Sequence, residues 1–156
     1  MGLHVFVRCS CMKDGLAAPY PMPELLRFDN DGEPYPDWEK GLSKSQWEAH
    51  EEWTVTGCPH ERGHLVLKHL GNVGSIAHVR AYIQPLVQTH FPLLMEKVVY
   101  SGTHGGDFIP ATEVELLLKE VRFLLEGTSD IDVRQFATDM VELCEASLAT
   151  RNPIVF

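Results

Sequence analysis

Long apolar runs are missing from this sequence. Nothing in its 156 residues approaches the roughly 18 consecutive apolar residues of a membrane-spanning helix, so no membrane partner is expected. The opening "MGLHVFVRCSC" lacks the charged start, long apolar middle and small-residue cleavage site of a secretory leader, which makes the cytoplasm the expected location. Basic residues are scarce: 13 Lys and Arg stand against 22 Asp and Glu, for a net charge of −9. A surface of that sign repels phosphate backbones and attracts cationic partners, so no nucleic-acid partner is expected. Cysteines number only 4, too few for a secreted disulfide framework; in a reducing compartment Cys9, Cys11, Cys58 and Cys144 read as thiols or metal ligands. There is no G-x-S-x-G, P-loop or dinucleotide fingerprint, and no internal repeat or low-complexity tract.

What remains is the composition of a folded domain, with 44% apolar and 22% charged residues, close to globular averages. The length fits a single domain over 1–156 that can bury a core without disulfide staples. The periodicities point to an α/β (α+β) fold in which a small mixed sheet packs with several amphipathic helices. In "LHVFVRCSC", Leu3, Val5, Val7, Cys9 and Cys11 recur at period two, the pattern of a strand with one buried face, and both cysteines project from its apolar side. From about 12 to 44 the text is rich in Gly, Pro and Asp, which predicts a long irregular segment with a short strand at 25–28; such a segment suits a binding surface.

Further along, "SKSQWEAHEEW" predicts a short helix with Ser45 as N-cap, and a second helix is expected within 61–70. A third is expected over 75–90, with Ile76, Val79, Tyr82, Ile83 and Leu86 on one side and a kink at Pro85. "LLMEKVVYS" reads as a strand. Thr112 and Glu115 match a T-x-x-E capping box before the stripe Val114, Leu117, Leu118, Val121, Leu124 and Leu125, which Gly127 ends. The last helix, over 130–149, is expected to bury Val133, Phe136, Ala137, Met140, Val141, Cys144 and Leu148, and "PIVF" to close the fold as an edge strand.

Chemistry concentrates in "TGCPHERGHLVLKHLGN", residues 56–72. His60, Glu61 and His64 spell H-E-x-x-H, in which two histidines one helical turn apart bind zinc and the glutamate acts as base. The context argues against a peptidase. Gly63 sits inside the required helix, Pro59 places His60 at its start, and Leu67 and Leu70 occupy the glycine and third-histidine positions of the longer H-E-x-x-H-x-x-G-x-x-H motif. A different set of donors is more coherent: Cys9 and Cys11 with Cys58 and His60 make three sulfurs and one nitrogen, the tetrahedral complement of structural zinc. No cofactor is otherwise expected. The same residues with His64 also define a small metal-binding enzyme as the alternative. His104 and Asp107 in "SGTHGGDF" could form a catalytic pair, although a glycine-rich turn is the simpler and favoured account of them.

The opening "MGLHVFVRC", the phrase "FPLLMEKVVYSGTHGGDFIPATEVELLLKEVRFL" and the closing "LCEASLATRNPIVF" together resemble small bacterial immunity proteins of polymorphic-toxin systems. In these an initial M-G-L strand, an F-P-x-L turn, a Gly-rich loop and a leucine-rich helix entered through a proline recur in that order. The resemblance covers the first dozen residues and about 90–156; "CSC" and "CPH" lie outside it. It implies a cytosolic inhibitor that binds and neutralises a cognate toxin without catalytic residues. The acidic charge suits a basic toxin, and the residues expected to meet it are Asp29, Asp31, Glu33, Asp37 and Trp38 with Glu48, Glu51 and Glu52.

Overall fold

The structure is a computed structural model that describes residues 2–29, 32–102 and 105–156, without the side chains of 87 and 88. Asp31 and His104, and with His104 its pairing to Asp107, lie outside the described residues. The fold is mixed α+β. The chain divides into two compact units, one of Met1–Val7 with Val66–Phe156 and the other of Arg8–Leu65.

The first unit is built on a four-stranded sheet of order β4-β1-β6-β5, formed by β1 (Gly2–Arg8), β4 (His64–Asn72), β5 (Phe108–Ile109) and β6 (Ile154–Val155). Leu3, Val5 and Val7 are buried, as the period-two pattern requires. The "PIVF" segment is an interior strand and not the expected edge: Phe6 and Phe108 both stand opposite Val155, and Val7 and Ile109 both stand opposite Ile154, all antiparallel.

Helices α2 (Val73–Ile83), α4 (Ala111–Gly127) and α5 (Ile131–Thr150) supply most of the rest of this core, and Phe91, Leu94, Val98 and Val99 complete it. Ile76, Val79 and Ile83 are buried on α2, while Tyr82 and Leu86 stay exposed. At Pro85 the helix gives way to a tight turn, Gln84–Leu86, before the short α3 (Val87–His90), because proline removes a helical donor. The α4 stripe Val114, Leu117, Leu118, Val121 and Leu124 is buried, as are Val133, Phe136, Ala137, Met140 and Cys144 on α5; each large side chain so placed contributes about 1.5–3 kcal/mol.

Helix starts differ from expectation in an instructive way. The Thr112/Glu115 box does not form. Extended Pro110 (φ −64°, ψ 146°) occupies the cap position without a side-chain cap, which puts Thr112 inside the first turn. Asp130 does cap α5, its carboxylate accepting the N–H groups of Asp132 and Val133.

Two segments adopt the opposite class from the one expected. "LLMEKVVYS" is not a strand: Leu94–Val98 forms a π-helical turn in which the Val99 N–H donates to the Leu94 carbonyl at 2.9 Å. The cause is remote in sequence. Glu120 on α4, only 4% exposed, accepts the N–H groups of Leu93 (3.1 Å) and Leu94 (2.9 Å) and so satisfies donors that a helix start leaves open. Burial pushes the Glu120 carboxyl above its usual range, against the pull of those two donors and with a further push from Glu96. Residues 61–70 are likewise not a helix but a tight turn, Glu61–Gly63, followed by β4, since Arg62 (φ 49°) and Gly63 (φ 74°) are left-handed and interrupt helical continuity.

In the second unit, β2 (Leu26–Phe28) and β3 (Pro34–Pro36) form an antiparallel hairpin with Arg27 opposite Tyr35, more order than the irregular reading of 12–44 allowed. Helix α1 (Lys44–Thr56) is capped by Ser43 and not Ser45: Ser43 Oγ accepts the Gln46 N–H and Gln46 Oε1 accepts the Ser43 N–H, a complete capping box. Tyr20, Met22 and Leu25 make a small core with Leu26, Leu42 and Trp53. Buried His50 on α1 meets the Tyr20 hydroxyl at 3.1 Å.

Candidate metal centre

Two short loops of the second unit carry the donor residues. Strand β1 ends at Arg8, so Cys9 and Cys11 lie in the turn after it and not on the strand as the period-two pattern implied. That turn is closed by the Cys11 carbonyl, which accepts the N–H groups of Leu16 (2.8 Å) and Ala17 (3.1 Å). The second loop leaves the end of α1. Gly57 is needed there, because a Cβ would lie 2.6 Å from the Trp53 carbonyl oxygen, and Cys58 follows directly. The Glu61–Gly63 turn then sends the Gly63 carbonyl back to the Cys9 N–H at 2.8 Å, so the backbone ties the two loops together.

The result is a cluster: the ligand atoms of Cys9, Cys11, Cys58 and His60 all lie within 4.8 Å of one another. Cys9 Sγ and Cys58 Sγ are 3.8 Å apart, and Cys11 Sγ and His60 Nδ1 are 3.3 Å apart. With metal–sulfur bonds of about 2.3 Å and metal–nitrogen bonds of about 2.0–2.1 Å, a tetrahedral site separates two sulfurs by about 3.8 Å and a sulfur from a nitrogen by about 3.5 Å. These two pairs therefore stand close to coordination separations, and the cluster could hold a metal ion. All three thiols are free, and the 3.8 Å separation is far beyond the roughly 2.05 Å of a disulfide. Burial pushes the Cys9 thiol up, opposed in part by a hydrogen bond from the Cys11 backbone N–H; a bound cation reverses that balance by favouring the thiolate.

No known protein family, curated protein or solved structure matches the chain.

His64 does not join the cluster. It opens β4, with left-handed Arg62 and Gly63 between it and His60, so the H-E-x-x-H residues never share a helix and the peptidase geometry is not formed. Burial, together with the positive charges of Arg8 and Arg62, lowers the His64 pKa. Cys144 is buried on α5 with its thiol pushed up to about 12 by burial, a packing residue.

The described residues among those expected to meet a partner all belong to the second unit, and several are already engaged within it. Asp29 Oδ1 accepts the Glu33 N–H at the hairpin turn, and Glu33 pairs with Arg8 at 2.5 Å. Asp37 holds Arg27 (2.8 Å) and Lys40 (3.8 Å), and Glu48 pairs with Lys44 at 3.6 Å. Glu51 and Glu52 are exposed on α1. Trp38 packs on Trp47, their ring centroids 4.9 Å apart, a contact with no sequence signal. A second donor group also lacked a local signal: His78, Asp130 and Asp132 gather within 4.8 Å, although His78 and Asp130 are 52 residues apart. Asp130 is already committed there as the α5 cap, and His78 and Asp132 are exposed. No helix among the described residues is long and apolar enough to cross a membrane.

Proposed function

We propose that the protein is a non-catalytic binding module whose Arg8–Leu65 unit is held by a structural zinc ion, and that its binding role is the neutralisation of a toxin by occlusion, as in the immunity proteins it resembles. The observation that carries this reading is the closed donor set. Three thiolates and an imidazole fill a tetrahedral shell, whereas a catalytic zinc site keeps one position for water or substrate. Zinc is the metal favoured by tetrahedral sulfur and imidazole donors. The immunity role rests on the resemblance in the first dozen residues and about 90–156, and the acidic charge favours a basic toxin domain. The competing metalloenzyme, built on Cys9, Cys11, Cys58, His60 and His64, would need an open coordination position and metal-dependent turnover.

Two measurements test the proposal. Protein purified without chelator should contain about one zinc per chain, and Cys58→Ser should lose it; a metal-free, fully folded wild type would remove the zinc. Co-expression with the toxic C-terminal domain encoded by the neighbouring gene should restore growth, with the two proteins copurifying. Failure of the wild type to rescue cells would discard the immunity role.

A further inference from the structure

Three tryptophans belong to the second unit, and only one of them serves its fold alone. The Trp53 indole N–H donates to the Ala18 carbonyl at 2.9 Å, and its ring stands edge-on to Tyr20 at 5.0 Å. Trp38 and Trp47 differ. Their rings tilt toward each other at 50° and stay 50% and 41% exposed. His50 completes a triangle of rings, 5.6 Å from Trp47 and 6.3 Å from Trp38. Neither exposed indole N–H donates to another described residue.

The charge around this pair is predominantly negative. Trp38 lies between Asp37 and Glu39; on α1, Glu48 follows Trp47 and Glu51 lies one turn further, on the same side of the helix. Residues 24–52 hold nine acids and three bases, and all three bases are taken, Arg27 and Lys40 by Asp37 and Lys44 by Glu48. Glu39, Glu51 and Glu52 form no ion pair among the described residues.

Exposed indole faces beside carboxylates without counterions suit a cation that can both stack and donate hydrogen bonds in a plane. A guanidinium does this better than an ammonium: it is flat, weakly hydrated, stacks on aromatic faces and grips a carboxylate with two parallel N–H groups. A nucleobase could also stack on indoles, but its phosphates would be repelled here. We infer that the Trp38–Trp47 surface, with Glu39 and Glu51, seats an arginine side chain of a basic partner protein. This rests on the binding-module reading and names the contact that module would make.

Calorimetric titration of the zinc-loaded full chain with synthetic peptides of alternating Arg and Gly, Lys and Gly, or Ser and Gly tests the seat. The arginine peptide should bind, the lysine peptide several-fold more weakly, and the serine peptide not at all. Trp47→Ala should weaken arginine-peptide binding about tenfold, the loss of one good cation–π contact. The double change Glu39→Gln and Glu51→Gln, on exposed carboxylates that anchor no packing, should weaken it comparably and flatten its salt dependence. Equal affinity of wild type and both variants for the arginine peptide, or equal binding of arginine and lysine peptides, overturns the seat. Neutralisation of the toxin separates this inference from the reading beneath it. If both variants rescue cells as well as wild type, the seat is wrong and the binding reading stands; if wild type itself fails, the binding reading falls whatever the peptides do.

Discussion

His50 is a histidine made to stay neutral. It is buried on α1 among Tyr20, Trp38 and Trp47, and burial lowers its pKa below the ordinary 6.5, against a smaller upward pull from Glu51 and Glu33. Its unfolded form therefore binds a proton at a pH where the folded form does not. The stability it contributes is complete above 6.5, falls as pH drops below 6.5, and levels off beneath the lowered folded value. His64, also lowered, acts in the same direction. Urea unfolding of the second unit should show its midpoint declining from pH 7 to pH 5, with zinc content followed in the same samples. His50→Gln should flatten part of that decline at constant zinc; an identical slope in the variant would remove His50 as the cause.

At the scale of elements, Glu120 shows how one side chain decides the class of a distant segment. Without its two hydrogen bonds to Leu93 and Leu94, the turn at Leu94–Val98 would begin on unmet donors, one of them on fully buried Leu94. Glu120→Leu should lower unfolding free energy by about 1–3 kcal/mol, the cost of stranding buried donors, and raise hydrogen exchange at 93–98. Unchanged exchange there would mean that the turn is held by its apolar side chains instead. This dependence on remote partners marks the limit of reading the sequence. The buried faces of β1, α4 and α5 were legible, because each repeats its apolar residues locally at a period of 2 or 3.6. The donors Cys9, Cys11, Cys58 and His60 were legible from their chemistry, although the first pair proved to be on a turn and not a strand. Residues 64–72 and 94–98 were not: a short apolar run suits helix or strand equally, and what decides them is a neighbouring strand or a carboxylate far along the chain. Ser43 with Gln46 and Ser45 with Glu48 both have the capping-box spacing, so the local pattern fits either serine, and the structure uses Ser43. The Trp38–Trp47 contact had no signal at all.

For the whole molecule, with zinc bound as proposed, the two units should respond differently to its removal. The four donors lie within Arg8–Leu65, so a chelator should release amide protection across the 9–18 and 57–63 loops and α1, while the α4 and α5 cores keep theirs. Hydrogen exchange with and without chelator measures this, and uniform loss across both units would show one cooperative transition in place of two. The sheet carries a consequence of another kind. Its central pairing joins Phe6 to Val155, residues separated by nearly the whole chain, and β6 is also the strand that links β1 to β5. Closing so long a loop costs configurational entropy before any contact repays it, so helix α4 can pack against α5 early while the sheet must wait. Refolding should be slow for a chain so rich in helix. During that wait β1 and β5 expose unsatisfied edges, and the interval in which this protein is most prone to aggregate is the one before residues 154–155 slot between them.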